Sequence, residues 1–541
     1  MTTTRKADAS RQSPNPSSGT SQSTEVVIQG FPVFGDKRLL VDDPIFDRLA
    51  SMQQFADFAR QLRGPFAIVV RRAEIVTAIT DFGACYPIYW IKNVASSRIE
   101  VGTSVGELAQ YSTRILCTKA LFWRASRGGV GPDPYYGDMN LLASGMVHQT
   151  SRGRQMSSLA YIDWKSVKID GPATYAEARE RFVEIATSYL AAVAGPSKRI
   201  ACFLSGGADS AIVAHLAALA GCEVIGFTAD YAVPGYSEMA GARHAAATLS
   251  IEHHAVKVGY VANRRGMWRM NTRSMDVPAS HLQLTSLLAL ADAAIEQGCV
   301  GFLTGDNSGP IFLEFGSIFH GLPTAVEDLD MAVRGMTLAQ YKKRQAKFGR
   351  CDDAAVELLR CFGLDRTGCE AWQGQYDYGT PETDALFEAV GYPLALQAEG
   401  QKWTGVVHQN CWLPAQLAAG HNSQILSPFL DIEMIRFAMS LPLHLKYRDG
   451  VGKWFLREFL KQETGLVPAK LASPNPSRLW WLPPRADDAA RIDPRLRRLL
   501  LQWQGRNLMH CGREYTQLAS ITALGIWLAA HPLDQPNNGE H

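Results

Sequence analysis

The chain has 541 residues, more than one ordinary core requires, and this length predicts two domains. Hydrophobic residues make up 46% of it, charged residues 20%, and the net charge is +2, which argues against nucleic acid or an acidic membrane as the main partner. Uninterrupted apolar runs fall short of the about 18 residues that a transmembrane helix needs, so no membrane span is expected.

Residues 1–25 predict a flexible tail, because they are polar and lack the apolar core of a secretory signal. Short apolar or alternating runs follow, among them VVIQGFPVFG, GPFAIVVRR, EIVTAITD and PIYWIK, and Gly, Asp and Pro separate these runs. This pattern predicts a strand-rich domain over residues 26–170.

The pattern becomes helical in TYAEARERFVEIATSYLAAVA (174–194), where apolar side chains recur every three or four residues. RIACFL, EVIGFTA and CVGFLTG then predict short buried strands with longer helical segments between them. This alternation is typical of a parallel sheet covered by helices on both faces. Residues 171–541 are therefore predicted to form a second domain, whose carboxyl-terminal part is mainly helical.

Ten cysteines are present, and three of them, Cys351, Cys361 and Cys369, cluster in the sequence. Their spacings of ten and eight residues do not match the close pairs of zinc sites. We therefore expect free thiols in a reducing cytoplasm.

The turn SGGADS, residues 205–210, lies between the buried strand RIACFL and a helix. Its glycines let backbone N–H groups approach an anion, and the helix adds its positive N-terminal end. Asp209 places a carboxylate where a phosphate-bound Mg²⁺ finds a ligand. The alternative is a plain glycine turn before a capped helix. The full pattern favours nucleotide phosphates, although the turn lacks the lysine of the G-x-x-x-x-G-K-[ST] loop.

FLSGGADSAIVAHLA resembles the pyrophosphatase-loop motif of the asparagine synthetase family, and further segments agree with that family in order. These are FTADYAVPGYSEMAGARHAAATLSIEHHAV, FLTGDNSGPIF and LSPFLDIEMIRFAMSLPLHLKYRDGVGKWFLREFL. Upstream, LRGPFAIVV, DFGACYPIYW and RIEVGTSVGEL resemble the glutaminase-like domain that precedes the synthetase. The resemblance spans about residues 26–530. It implies an α+β glutaminase-like (Ntn-type) domain over 26–170, followed by an α/β parallel-sheet synthetase domain of the pyrophosphatase-loop type over 171–541.

The resemblance implies that ATP, with Mg²⁺, activates a substrate carboxylate as an acyl-adenylate and that an amine then forms an amide. Lys453 matches the family's lysine at the reacting groups, where a cation stabilises growing negative charge. Asp306 takes a catalytic position. Asp209 is the implied metal ligand, and Asp306 is a candidate for the second one. Asp431 is interpreted as a cap for the helix that begins at Ile432. The implied nucleotide-binding residues are Leu204, Ser205, Gly206, Gly207, Asp209, Ser210, Thr304 and Gly305.

Two departures from the family pattern narrow the activity. Glutamine-dependent members begin with a nucleophilic cysteine, whereas this chain begins with Met1 and its first cysteine is Cys85. We therefore expect no glutaminase activity, with the amine coming from ammonia, an amine substrate or the substrate itself. The family's second metal-binding aspartate falls at Gly309, where Asp306 or Glu314 is a candidate substitute.

Members without the nucleophilic cysteine include lasso peptide cyclases and β-lactam synthetases. The latter carry a tyrosine where this chain has Asp306, so a peptide macrolactam (lasso-type) cyclase of natural-product biosynthesis is the leading expectation. The alternatives are a small-molecule amide or β-lactam synthetase, an ammonia-dependent asparagine synthetase-like enzyme, and a degenerate ATP-binding scaffold. The expected partners are a carboxylate- and amine-bearing substrate and a leader-peptide-processing protein. The aromatic segments SRLWWLPPR and LLQWQGRNL either line a peptide groove or pack between domains.

Overall fold

The structure is a computed structural model that describes the residues of the following ranges. They are 3–5, 24–118, 120–121, 134–151, 153–163, 170–194, 198–233, 236–274, 276–279, 284–312, 353–363, 425–448, 452–468, 491–504 and 512–531.

The amino-terminal part is built from short antiparallel strands. In chain order they are β1 (Thr3–Arg5), β2 (Thr24–Gly30), β3 (Val33–Phe34), β4 (Lys37–Arg38), β5 (Leu62–Arg63), β6 (Phe66–Arg72), β7 (Ile75–Thr80), β8 (Tyr89–Lys92), β9 (Ile99–Gly102), β10 (Met139–Leu141), β11 (Met146–Ser151) and β12 (Gln155–Ala160). The main sheet has the order β1-β2-β6-β7-β11-β12, and two small sheets have the orders β10-β8-β9 and β4-β3-β5. The strand-rich character predicted for this region is confirmed.

The tail prediction missed one feature. Strand β1 pairs antiparallel with β2, with Thr3 opposite Ile28 and Arg5 opposite Val26. The open edge of β2 offers unpaired backbone groups, and a β-branched threonine segment is suited to pair with them. The prediction of a flexible tail is therefore wrong for these residues, and 6–23 lie outside the described ranges.

A parallel sheet follows, with the order β15-β14-β13-β16-β17. Its strands are β13 (Arg199–Phe203), β14 (Glu223–Asp230), β15 (Glu252–Lys257), β16 (Gly301–Leu303) and β17 (Ile425–Leu426). The central strand β13 pairs with β14 on one side and β16 on the other. The winding direction therefore reverses between β13 and β16, and a crevice opens beyond the carboxyl ends of these two strands. The predicted parallel sheet is confirmed.

Helices cover the sheets and supply the carboxyl-terminal part. The α-helices of the described residues are Ile45–Arg48, Met52–Ala59, Val105–Leu108, Tyr175–Ala194, Ala208–Leu219, Met239–Leu249, Tyr260–Arg269, Leu284–Glu296, Ser308–Ile311, Asp353–Arg360, Ile432–Ser440, Leu443–Lys446, Trp454–Thr464, Pro494–Gln504 and Gly512–Ala530. Across the described ranges, no helix combines the length and the hydropathy needed to span a bilayer.

The helix Tyr175–Ala194 joins the two halves of the molecule. A single hydrophobic core contains Val69 and Ala78 of the amino-terminal sheet together with Ile200 of the parallel sheet. Phe182, which is fully buried on this helix, lies at the centre of an aromatic cluster. Its ring contacts those of Phe312, Phe429, Phe437, Phe455 and Phe459. The helix thus packs against the segments that lead to the crevice.

Truncation of Phe182 tests this packing. Because its ring contacts five other rings, we expect Phe182→Ala to lower the free energy of unfolding by about 3–5 kcal/mol. Alanine keeps the helix propensity, so the loss reports packing. Ile75→Ala is the control, because Ile75 is 46% exposed and its truncation should change stability by less than about 0.5 kcal/mol. Urea unfolding followed by tryptophan fluorescence measures both, and equal midpoints for the two variants would contradict the assigned role.

Candidate functional site

A cavity of about 370 Å³ lies at the carboxyl ends of β13, β14 and β16. It brings together residues that the sequence separates by up to 254 positions, from Phe203 to Arg457. Of the residues that the sequence analysis assigned to the site, those lining the cavity are Leu204, Ser205, Gly207, Asp209, Ser210, Thr304, Gly305, Asp306 and Lys453. Gly206 is the assigned residue that does not line it.

The turn between β13 and its helix is held by its own serine hydroxyls. The Ser205 backbone N–H donates to Ser210 Oγ at 3.2 Å, and the Gly207 N–H donates to Ser205 Oγ at 3.3 Å. Ser210 Oγ in turn donates to the Gly207 carbonyl at 3.3 Å. These bonds fix the loop in shape without a ligand, so a bound anion need not organise it.

Gly206 forms the back of this turn rather than its binding face. Its φ of +69° lies in the left-handed region, and a Cβ there would lie 2.6 Å from the carbonyl carbon of Gly241. Gly241 belongs to the helix Met239–Leu249. Glycine is therefore required for the turn and for the close approach of this helix.

The helix Ala208–Leu219 begins at the turn and points its amino-terminal end at the cavity. Its N-cap residue, Gly207, has extended geometry and supplies no side-chain cap. The first amides of this three-turn helix and its macrodipole therefore favour an anion at the cavity.

Gly305 brings the end of β16 into contact with this helix. A Cβ on Gly305 would lie 2.5 Å from Asp209 Cβ and 2.8 Å from the Asp209 carbonyl carbon. The carbonyl carbon is a backbone atom and Cβ is bonded directly to the backbone, so no small side-chain rotation relieves the clash. The absence of a side chain at Gly305 thus sets the width of the crevice.

Lys453 and Asp209 form an ion pair at the cavity wall. Lys453 Nζ lies 3.0 Å from Asp209 Oδ1 and 2.9 Å from Oδ2. The Lys453 backbone has φ +54°, a left-handed conformation that costs a non-glycine residue about 1–3 kcal/mol. The Lys453 N–H donates to the Phe312 carbonyl at 3.2 Å, which helps to hold this conformation. Strain of this kind concentrates at functional sites.

Asp306 lies on the cavity wall near Asp209. Burial raises the pKa of Asp306 to about 6, the Asp209 carboxylate adds to the rise, and the Lys453 ammonium opposes it. The backbone around Asp306 is fixed from behind, because Ser427 Oγ donates to the Asp306 carbonyl at 3.1 Å. Its charge therefore changes within the range of ordinary working pH.

The donor set fits Mg²⁺ in its usual protein setting. Asp209 and Asp306 place carboxylates on the same cavity, and Mg²⁺ commonly uses one or two carboxylates with water and substrate phosphates. Within the ranges that the structure describes, no group of three or more His, Cys, Asp or Glu residues gathers as a metal site. Glu314, the other candidate substitute for Gly309, lies outside those ranges. The Lys453 ammonium contacts both Asp209 oxygens, so a metal at Asp209 would share this carboxylate with Lys453 or replace one of these contacts.

Asp431 caps a helix, as the sequence analysis interpreted it. Its side chain accepts a hydrogen bond from the Glu433 N–H at 3.3 Å at the start of Ile432–Ser440. The structure adds a partner that the sequence did not indicate, since Asp431 also pairs with Arg63 of strand β5. The cap prediction is confirmed.

Several cavity residues were missed by the sequence analysis. Arg457 lines the cavity one helical turn after Lys453, and a signal for it exists because both belong to the stretch GKWFLREFL. Tyr231 and Ser286 also line it, and Tyr231 Oη donates to Ser286 Oγ at 3.1 Å. Their positions follow from tertiary packing, and no local pattern marks them. The segment SRLWWLPPR (477–485) lies outside the described residues, as do Cys351 and Cys369.

The described cysteines are Cys85, Cys117, Cys202, Cys222, Cys299 and Cys361, and each has a free thiol. The expectation of free thiols is thus confirmed for these six.

Comparisons with known proteins point to one family. A family model described as asparagine synthase matches residues 195–474. No curated protein sequence matches the chain.

Solved structures that match include three from microbes. The U34-tRNA thiolase NcsA of Methanococcus maripaludis is 13% identical, with 47% of this chain and 90% of that chain covered, at a TM-score of 0.23. The NMN synthetase of Francisella tularensis is 14% identical, with 40% of this chain and 93% of that chain covered, at a TM-score of 0.20. The NH3-dependent NAD synthetase of Campylobacter jejuni is 15% identical, with 42% of this chain and 97% of that chain covered, at a TM-score of 0.20. At TM-scores this low, none of these matches supports an argument about this chain.

Gly305→Ala tests the width of the crevice. The added Cβ meets Asp209 at 2.5 Å, so the loop must shift, and we expect at least a tenfold loss of ATP affinity, equivalent to about 1.4 kcal/mol. Gly259→Ala is the matched control, because no atom lies within 4 Å of its Cβ position. Isothermal titration with ATP and Mg²⁺ measures both variants. ATP affinity equal to that of the control would contradict the close approach.

The raised pKa of Asp306 predicts a pH dependence. At pH 5, one unit below a pKa of about 6, only about a tenth of the Asp306 carboxyl groups are charged. Magnesium-dependent ATP binding should therefore weaken as the pH falls from 7 to 5. ATP titrates in the same range, so the comparison is with Asp306→Asn, which should bind less tightly at pH 7 and lose less affinity on acidification. Parallel pH profiles for the two proteins would contradict the assignment.

Proposed function

The chain belongs to the asparagine synthase family, and from this membership and the geometry of the cavity we propose that it is an ATP-dependent amide-forming ligase. The carrying observation is the convergence, at the switch point of the parallel sheet, of a glycine turn, a helix amino terminus, two carboxylates and one buried lysine. A phosphate chain satisfies all of these groups at once, because the amides and Lys453 bind phosphate oxygens and the carboxylates bind its counter-ion.

ATP occupies the cavity in two parts. Its phosphates lie along residues 205–210, at the amino-terminal end of the helix Ala208–Leu219. The adenine lies against the apolar wall, which is formed by Phe203, Phe227, Leu287 and Leu290. The cavity volume of about 370 Å³ is within the range of about 300–1,000 Å³ that small-molecule sites occupy.

The reaction has two steps. A substrate carboxylate oxygen attacks the α-phosphorus of ATP, the bond to the β-phosphate oxygen breaks, and pyrophosphate leaves. An amine then attacks the acyl carbon of the adenylate, loses a proton, and AMP leaves with the acyl C–O electron pair. Asp209 and Asp306 would hold Mg²⁺, which would supply positive charge to offset the phosphates.

Lys453 stabilises both steps. In the structure its ammonium is held by Asp209, at the wall of the same cavity. Negative charge grows first on the α-phosphate and pyrophosphate and then on the acyl oxygen, and a fixed cation lowers the energy of each transition state. Transfer of the ammonium from Asp209 to the phosphates frees the carboxylate for the metal.

The amino-terminal domain is proposed to be a glutaminase-like domain without glutaminase activity. Cys85, the first cysteine of the chain, is 1% exposed and packs in the hydrophobic core. Its N–H donates to Asp81 Oδ1 at 2.9 Å, within a buried turn. The burial of this thiol supports the proposal that the amine comes from a source other than glutamine hydrolysis.

Within this class we propose a peptide macrolactam cyclase of the lasso type. Asp306, which stands where β-lactam synthetases carry a tyrosine, supports this choice over a β-lactam synthetase. The nucleophile is then an amine of the substrate peptide itself, and a leader-peptide-processing protein is the proposed partner.

The decisive experiment follows the fate of ATP. Purified protein is incubated with Mg²⁺, α-labelled ATP and a peptide and metabolite extract of the native host, and AMP is separated from ADP. We expect extract-dependent AMP together with a product that has lost one water. The product mass distinguishes a peptide cyclase from a small-molecule ligase, whereas ADP or no turnover with bound ATP would contradict an adenylating ligase.

Lys453→Ala isolates the proposed cation. We expect product formation to fall by at least about 100-fold, because one charge-stabilising donor is worth 10²–10³ in kcat. ATP affinity should fall far less than product formation, because the amides of the turn at 205–210 still bind the phosphates. The melting temperature should change little, because the Asp209 side chain is 36% exposed and water can solvate it when its partner is removed. Lys461→Ala is the control, because its side chain is 61% exposed on the same helix. Product formation at the control rate would show that Lys453 has no catalytic part.

A further inference from the structure

Arg63 of the amino-terminal strand β5 reaches into the second half of the molecule. Its guanidinium donates to both Asp431 oxygens, with Nη2 at 2.5 Å from Oδ2 and Nε at 3.3 Å from Oδ1. It also donates to Ser188 Oγ at 3.1 Å and to the Ile185 carbonyl at 3.0 Å, both on the helix Tyr175–Ala194. Every contact of this guanidinium named here is thus made outside the sheet that carries it.

The ion pair between Arg63 and Asp431 is buried, so the loss of either partner has a large energetic cost. The side chain of Asp431 is 0% exposed and that of Arg63 is 13% exposed. A buried carboxylate that loses its counter-charge keeps a large desolvation cost, so removal of one partner from such a pair is strongly destabilising locally. Loss of Arg63 would therefore leave the Asp431 carboxylate without its buried counter-charge, with the Glu433 N–H as its remaining hydrogen-bond donor named here.

The segment 425–431 connects Asp431 with the cavity. Its strand β17 accepts a hydrogen bond at the Leu426 carbonyl from the Thr304 N–H at 3.0 Å. Ser427 Oγ donates to the Asp306 carbonyl at 3.1 Å, and Asn307 Nδ2 donates to the Phe429 carbonyl at 2.7 Å. Three bonds in four residues thus tie this segment to 304–307, the stretch that carries Gly305 and Asp306.

We propose that Arg63 is a positioning residue of the amide-forming site, through which the amino-terminal domain holds segment 425–431 against residues 304–307. The inference rests on the proposed function and deepens it. It gives the amino-terminal domain a task that requires no glutamine chemistry. The domain supplies the positive charge that holds Asp431 in place. Through segment 425–431, Asp431 then holds the backbone of Asp306 at its position beside Asp209.

The kinetic test uses the full chain and ATP–pyrophosphate exchange with the carboxylate substrate. In Arg63→Gln we expect kcat to fall about 100-fold, as displacement by about 1 Å from a remote change can cause, with KM for ATP changed less than about threefold. Arg63→Lys keeps the positive charge but lacks the planar guanidinium that binds a carboxylate through two nitrogens. Its kcat should lie between those of Arg63→Gln and the unaltered protein. Guanidinium ion added to Arg63→Ala should restore part of kcat.

Arg71→Gln is the matched control. Arg71 lies on β6, the next strand along the chain. Its Nη2 donates to the Val101 carbonyl at 2.7 Å within the amino-terminal domain. We expect the control to keep the kcat of the unaltered protein even if its melting temperature falls. If the Arg63 variants lower only the melting temperature and keep kcat, Arg63 is a structural residue and the proposal is wrong.

A second measurement does not depend on turnover. Amide hydrogen exchange in 304–307 and 425–431 should accelerate in Arg63→Gln and Arg63→Lys and remain unchanged in Arg71→Gln. Unchanged exchange in the Arg63 variants would overturn the coupling. If the unaltered protein shows no exchange of pyrophosphate, the proposed function fails, and the hydrogen-exchange result still decides the positioning.

Discussion

A lysine ammonium withdrawn from water needs a counter-charge, and the pairing of Lys453 with Asp209 meets this need at the wall of the cavity. Asp209 lies in the first turn of Ala208–Leu219, and Lys453 immediately precedes Trp454–Thr464. The pair therefore brings the amino-terminal ends of two helices of about three turns to the same place. Both macrodipoles are positive there, which favours a highly charged anion. The fold around the cavity serves to hold these two ends together.

The surrounding backbone approaches more closely than side chains would permit. Gly206 lies against Gly241, and Gly305 lies against Asp209, with Cβ positions under 3.0 Å from fixed atoms. The position of β13 between β14 and β16 places both contacts beyond the same strand ends. Below the cavity, the ring of Phe312 stacks on Phe455 at 5.8 Å between centroids, and this packing supports the strained backbone of Lys453.

The amino-terminal domain contributes a buried ion pair to the second half of the molecule. Its Arg63 joins Asp431, and Asp431 in turn caps Ile432–Ser440. The same domain shares a continuous hydrophobic core with the parallel sheet across Tyr175–Ala194. The amino-terminal domain is therefore packed directly against the elements that lead to the cavity.

Local pattern was sufficient for the strands, for the helix Tyr175–Ala194 and for the glycine turn, because periodicity and turn chemistry act over a few residues. Motif resemblance supplied Lys453 and Asp306 as site residues, since their spacing within short motifs is visible in one dimension. Arg63, Tyr231 and Ser286 carry no such signal. Each acquires its position from contacts between segments tens to hundreds of residues apart.

The sequence by itself determined the family, the parallel sheet and nine of the residues that line the cavity at the carboxyl ends of its strands. Only the tertiary structure decided that Lys453 forms an ion pair with Asp209 and that Asp431 forms one with Arg63. It also decided that Gly206 packs against Gly241 instead of lining the cavity. The physical reason is that ion pairing and close approach depend on distances in space. Those distances are set by how the two halves pack on one shared helix.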